Sequence, residues 1–136
     1  MEVSVLRNEG ISWVCDDKIF AKGYFISSCG KKYYGDDMIK YFENIDLDKD
    51  LIRYLKRVNG NFSLIIENFD NIYLIVDHIR SFPIFYCLTE DGIIISDDIN
   101  YIKEQLDDLK YNKYNVMELL MTGFTTDTRT IYGSIY

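Results

Sequence analysis

Between residues 3 and 26 apolar and polar residues change places in short runs, the rhythm of half-buried β-strands. Val3–Leu6 is one run, Ile11–Val14 a second and Ile19–Ile26 a third, the last carrying Phe20, Tyr24, Phe25 and Ile26 as β-prone bulk. Asn8-Glu9-Gly10 reads as a turn and Ser27–Lys32 as a loop. The spacing then lengthens. Met38, Ile39, Tyr41 and Phe42 fall on one helical face, with Asp36 or Asp37 placed to cap it. Leu51, Ile52, Leu55 and Val58 form the stripe of a second helix, capped by Asp46 or Asp48. Asn59-Gly60 reads as its end, because either residue accepts the left-handed conformation there.

Further on, Phe62–Ile66, Ile72–Val76, Pro83–Leu88 and Ile93–Ile95 read as strands, joined by turns at 68–71 and 90–92. Leu64-Ile65-Ile66, Leu74-Ile75-Val76 and Ile93-Ile94-Ile95 are unbroken apolar runs. Such runs predict a sheet covered on both faces. Ser96 or Asp97 is placed to cap a helix through Ile99, Ile102 and Leu106. Asn112 or Asn115 starts another, through Val116, Leu119 and Leu120 to Gly123. Strands and helices are segregated along the chain, which predicts an α+β fold.

The chain's 136 residues fit one domain with a real core. A net charge of −7 argues against a sequence-independent grip on nucleic acid or an anionic membrane. No apolar run approaches the length of a membrane span, and Met1-Glu2-Val3-Ser4 does not open a signal peptide. The expectation is a cytoplasmic protein whose three cysteines, Cys15, Cys29 and Cys87, are reduced: their number is odd and no Cys-x-x-Cys pair suggests zinc.

Candidate chemistry is sparse. Cys15 and Cys87 read as core, while Cys29 in Ser-Cys-Gly would become an N-terminal nucleophile only if the preceding strands were cleaved away. His78, the single histidine, has no Ser or Cys pattern beside it and reads as structural or surface. Asp77 reads as bonding to turn N–H groups. The pairs Asp16-Asp17, Asp36-Asp37, Asp97-Asp98 and Asp107-Asp108 fall at turns and helix starts, where Asp caps rather than binds metal, so no metal site is expected. Tyr33, Tyr34, Tyr101, Tyr111 and Tyr114 read as core or half-buried packing, with a partner surface as the other option.

Four segments in order resemble the amidotransferase domain of asparagine synthetases. Asn59-Gly60-Asn61-Phe62-Ser63 is similar to that family's Leu-x-Gly-x-Phe-(Ala/Ser). Asp77-His78 with Pro83-Ile84-Phe85-Tyr86 is similar to Arg-Asp-x-x-Gly-x-x-Pro-Leu-Tyr. Ile95-Ser96-Asp97, with Ile99 and Ile102, is similar to Ala-Ser-Glu-Ile-x-x-Leu. Gly123, with Arg129-Thr130-Ile131-Tyr132-Gly133-Ser134-Ile135, is similar to Gly-x…x-Thr-Ile-(Tyr/Phe)-x-x-Ile, which precedes the link to an ATP-using domain. The resemblance implies an N-terminal-nucleophile (Ntn) hydrolase-like αββα sandwich, here shortened, over residues 1–136.

In active members a cysteine behind the removed initiator Met attacks the glutamine amide, with its own α-amine as base. Here residue 2 is Glu. A carboxylate does not replace a thiolate on an unactivated amide, and Glu2 disfavours removal of Met1, so no catalytic residue is expected. Lys22-Gly23 stands where the family has an Asn-Gly oxyanion pair, and Gly35-Asp36 resembles its Ser-Asp pair, whose carboxylate holds the substrate amine. Lys22, Gly23 and Asp36 are therefore the substrate-binding remnant, with N-capping as the plainer role for Asp36. Arg7 is the only nearby candidate for the glutamine carboxylate, and a surface Arg is the plainer role.

The pattern is closest to domains of the β-lactam synthetase and lasso-peptide cyclase type, which lack the cysteine and accompany an ATP-pyrophosphatase synthetase domain. The Ser-Gly-Gly-x-Asp-Ser loop of that second domain does not occur in the sequence. ATP and Mg are expected only there, and this domain needs no cofactor. The expected function is a non-catalytic scaffold for such a synthetase domain, in cis or in trans, with a homodimer also open. Two further readings stand beside it: part of an active asparagine synthetase or peptide cyclase in a full-length parent, and a standalone small-molecule or protein binding module.

Overall fold

A computed structural model describes residues 2–5, 10–45, 47–69 and 71–136, the side chains of 47–49 aside. Arg7, the Asn8-Glu9 turn and the caps Asp46 and Asp48 lie outside the described residues and side chains. The fold is mixed α+β, with two sheets and four helices among the described residues. None of these helices is long and apolar enough to cross a membrane. The chain divides into two compact units, Arg7–Pro83 and a discontinuous one of Met1–Leu6 with Ile84–Tyr136.

The first unit is built on a five-stranded sheet: β2 (Val14–Cys15), β3 (Ile19–Ile26), β4 (Lys32–Tyr34), β5 (Asn59–Asn68) and β6 (Asn71–Val76). All its pairings are antiparallel, and β3 against β5 is the longest, from Ile19–Ile66 to Ile26–Asn59. Ile19, Ala21 and Phe25 from β3 join Phe62, Leu64 and Ile66 from β5 on the core face. Helix α1 (Asp36–Glu43) adds Met38, Ile39 and Phe42 to that core, and α2 (Leu47–Leu55) adds Leu51. Phe62 to Ile66 are buried without a break. The unbroken apolar run thus marks a strand shielded on both faces.

Several boundaries differ from the reading of the sequence. Residues Lys32–Tyr34, read partly as loop, pair with β3 as a hairpin. The strand read at Ile11–Val14 is confined to Val14–Cys15, and it ends there because Asp16 takes the N–H groups of Lys18 (2.7 Å) and Ile19 (2.6 Å) in a tight turn. Cys15 is exposed, not core. Gly35, not Asp36 or Asp37, is the N-cap of α1. Its φ of 56° is a left-handed conformation that glycine adopts freely, and both Asp residues fall in the first turn. There they favour the helix dipole without a capping hydrogen bond. Asn59-Gly60 opens β5 rather than closing α2, whose last carbonyls are met by Lys56 and Arg57 N–H groups. Ile52, read on the buried stripe, is 70% exposed.

The second unit holds a three-stranded sheet in which β1 (Glu2–Ser4) runs parallel to β8 (Gly92–Ser96), and β8 pairs antiparallel with β7 (Phe85–Thr89). Cys87, Ile94, Ile102 and Ile135 form its buried centre. Asp98, rather than Ser96 or Asp97, caps α3 (Ile99–Glu104) by accepting from Asn100 N. The capped N–H is set by where β8 ends, and Ser96 is still in the strand. Asn112 caps α4 (Lys113–Thr122) through Tyr114 and Asn115 N–H groups, and Gly123 ends it with φ 84°. Val116 is half-buried, whereas Leu119 and Leu120 are exposed.

Candidate functional site

Lys22 and Gly23 sit side by side on β3, opposite Ser63 and Phe62 of β5. Gly23 has φ 93°, and a Cβ there would stand 2.0 Å from the carbonyl oxygen of Asn61 and 2.8 Å from the ring of Phe82. Only glycine fits such an approach. Lys22 is 5% exposed, and its Nζ lies 5.7 Å from the Trp13 ring centroid and 5.4 Å from that of Phe82. A buried ammonium needs such partners, and aromatic faces supply part of that need.

The loop after β6 is bound to the same corner. Asp77 is buried, and its carboxylate accepts from the N–H groups of Phe62 (3.1 Å), Ile79 (2.9 Å) and Ser81 (3.1 Å). Burial pushes its carboxyl up, yet those donors, with the Ser81 hydroxyl, outweigh it and hold it below the ordinary carboxylate range. Asp77 is thus the turn-organising residue read from the sequence. Asn61 Nδ2 donates to Ser81 Oγ at 2.9 Å, and the Ser63 hydroxyl donates to the carbonyl of Phe82. Arg80 adopts φ 53°, at the position where the resembling hairpin motif carries Gly.

This corner is built to hold shape. The Ser63 proton goes to a carbonyl rather than to a base, so the hydroxyl is not an activated nucleophile. His78 is exposed, at the edge of a cleft of about 190 Å³ lined by Val58, Gly60, Phe62, Val76 and Asp77. That cleft is smaller than the ~300 Å³ of typical ligand pockets. A larger cleft, about 750 Å³, lies along Asp17, Phe42, Glu43, Ile66 and Glu67 and contains none of the candidate site residues.

Asp36 lies at the exposed start of α1. The register Tyr24–Tyr34 carries the chain toward the level of Gly23 just as it turns into that helix. In the second unit Glu2, on β1, accepts a hydrogen bond from the Tyr101 hydroxyl, which that carboxylate holds above the ordinary tyrosine range. Trp13 and Tyr101 went unread as partners of Lys22 and Glu2. Trp13 could have been singled out as the only tryptophan, but the Tyr101 contact spans 99 residues and leaves no local trace.

Of the acidic pairs, Asp16 and Asp98 accept backbone N–H groups as turn and cap residues do, Asp36 and Asp37 make no capping bond, and Asp108 forms an exposed ion pair with Lys110 at 2.6 Å. Among the described residues no group of three His, Cys, Asp or Glu side chains is placed to hold a metal ion. Cys87 is buried, and burial raises its thiol. Cys29 is exposed and lowered, first by its 3.1 Å contact with the Ser27 hydroxyl. Of the five tyrosines, Tyr33 and Tyr101 are half-buried, whereas Tyr34, Tyr111 and Tyr114 are exposed. No protein-family model, curated protein or solved structure matches the chain.

Proposed function

We propose that the chain is a non-catalytic, amidotransferase-like domain, a shortened αββα sandwich of the Ntn type, that serves as scaffold for an ATP-dependent amide-forming synthetase domain in cis or in trans. One observation carries the reading. Residues of the first two resembling segments meet Gly23 in one corner, where Gly23 lies against Asn61 and Phe82, and Asp77 ties Phe62 to the loop containing Arg80. The left-handed backbone at Arg80, where the motif has Gly, supports the alignment of that hairpin.

The non-catalytic part is supported by Glu2. Its carboxylate is engaged by the Tyr101 hydroxyl, an interaction that orders β1 against α3 and supplies no nucleophile. In place of a neutral amide donor, the remnant pair offers the buried ammonium of Lys22.

The test is ammonia release from L-glutamine by the purified chain. The expected rate equals that of a heat-inactivated control. Release that rises in proportion to protein and persists through successive columns would overturn the non-catalytic reading.

A further inference from the structure

Helix α4 is mounted inside out. Its one buried residue is Asn115, whose Nδ2 donates to the carbonyl of Thr130 at 2.6 Å. Glu118 accepts from the N–H and hydroxyl of Thr126, and the Thr122 hydroxyl donates to the carbonyls of Glu118 and Phe124. The polar edge thus anchors the helix to the segment after it. The apolar edge faces solvent: Tyr114, Met117, Leu120, Met121 and Phe124 are each between 59% and 83% exposed.

On the helix, Tyr114, Met117, Leu120 and Met121 are spaced three and four and make a single stripe, with Phe124 exposed just past the stop at Gly123. At ~200 Å² for a large side chain, the exposed fractions leave roughly 700 Å² of apolar surface. That exceeds the ~300–600 Å² of the largest patch on a typical monomer. It approaches the ~800 Å² that each partner gives to a standard interface.

On the helix, Met117 and Met121 lie two residues either side of position 119. In a two-fold interface residue i of one copy meets j of the other and j meets i, so antiparallel packing centred near 119 sets the two methionines against each other. We infer that α4 is the core of a symmetric homodimer, packed antiparallel on α4 of a second copy. Met117 then meets Met121 of the second copy, and Leu120 lies near the axis.

Charge agrees with this occupant. Despite the chain's −7, the stripe carries no acid, because Glu118 is held on the anchored edge by Thr126. Lys113 stands at the N-terminal end of α4, and antiparallel packing brings it to the negative C-terminal end of the second copy's helix. The inference does not depend on the amidotransferase reading.

Sedimentation equilibrium of the full chain tests it. The wild type is expected to show a concentration-dependent monomer–dimer equilibrium, and Leu120→Glu to raise the dissociation constant at least tenfold with an unchanged circular dichroism spectrum. Ile52→Glu, an exposed apolar site in α2, is expected to leave the dimer intact. As a second arm, Met117→Cys/Met121→Cys in a Cys15→Ser/Cys29→Ser background is expected to form covalent dimers with copper–phenanthroline as oxidant. A wild type that stays monomeric at several hundred micromolar, a dimer indifferent to Leu120→Glu, or absence of the cross-link overturns the inference.

Discussion

Helices α1 and α4 solve the same problem in opposite ways. In α1, Met38, Ile39 and Phe42 turn toward the sheet of their unit and enter its core. In α4 Met117, Leu120 and Met121 turn outward, and Asn115 turns inward. The difference follows from what each unit offers. The first has a wide sheet face, floored by Ala21, Phe25, Phe62 and Leu64, that needs a cover. The second has a small centre of Cys87, Ile94, Ile102 and Ile135, and opposite α4 it presents backbone carbonyls and threonines. An amphipathic pattern says that one side of a helix must be covered. The polar groups on its other side decide whether the cover belongs to the same chain.

The sharpest way to break the contrast is to disturb the strand-built unit at its tightest approach. Gly23→Ala places a methyl group on the Asn61 carbonyl at a left-handed φ. It is expected to cost at least ~4 kcal/mol in urea unfolding, among the largest single-residue effects. Asp77→Ala comes next. Removing a buried carboxylate that serves three N–H groups is expected to cost about 3 kcal/mol. Asp77→Asn is expected to cost less, since one carbonyl still accepts. Because the folded-state carboxyl is held below its ordinary value, its stabilisation is present above the unfolded pKa of ~3.9 and fades as pH falls through the lower folded value. The gap between wild type and Asp77→Asn should therefore be full at pH 7 and shrink below pH ~4. The smallest expected loss is on the other side of the comparison. Asn115→Ala strips α4 of its buried anchor and is expected to cost about 1–2 kcal/mol. Faster amide exchange should then be confined to α4 and the segment it holds.

These residues also mark how far the sequence can be read. Ile19–Ile26 was legible to the residue, because turn formers flank it and β-prone bulk fills it. Gly123 was legible as the stop and Asn112 as one of two cap candidates beside Asn115, since both act on backbone within a few residues. Contacts made over distance were not legible. Lys22 is a buried cation because Trp13 and Phe82 stand beside it, and Glu2 is engaged because α3 brings Tyr101 to it. Ile52 shares a stripe with buried Leu51 and Val58, and Leu120 shares one with half-buried Val116, so periodicity alone assigns them to cores they do not enter. Gly60 looked like a helix stop because Asn-Gly is a local signal. Its pairing with Phe25, 35 residues earlier, overrides it.

The parallel register Glu2–Ile94 to Ser4–Ser96 has a further consequence, for the order in which the chain assembles. Every strand of the first unit finds its partners within residues 14–76, so that sheet can close while the rest is still being synthesised. Strand β1 must wait for β8. At ~5–20 residues per second on the ribosome, that wait is on the order of 5–20 s. Throughout it Glu2–Ser4 is an unpaired strand tethered to a unit it does not join, and the second sheet can start only once nearly three-quarters of the chain has emerged.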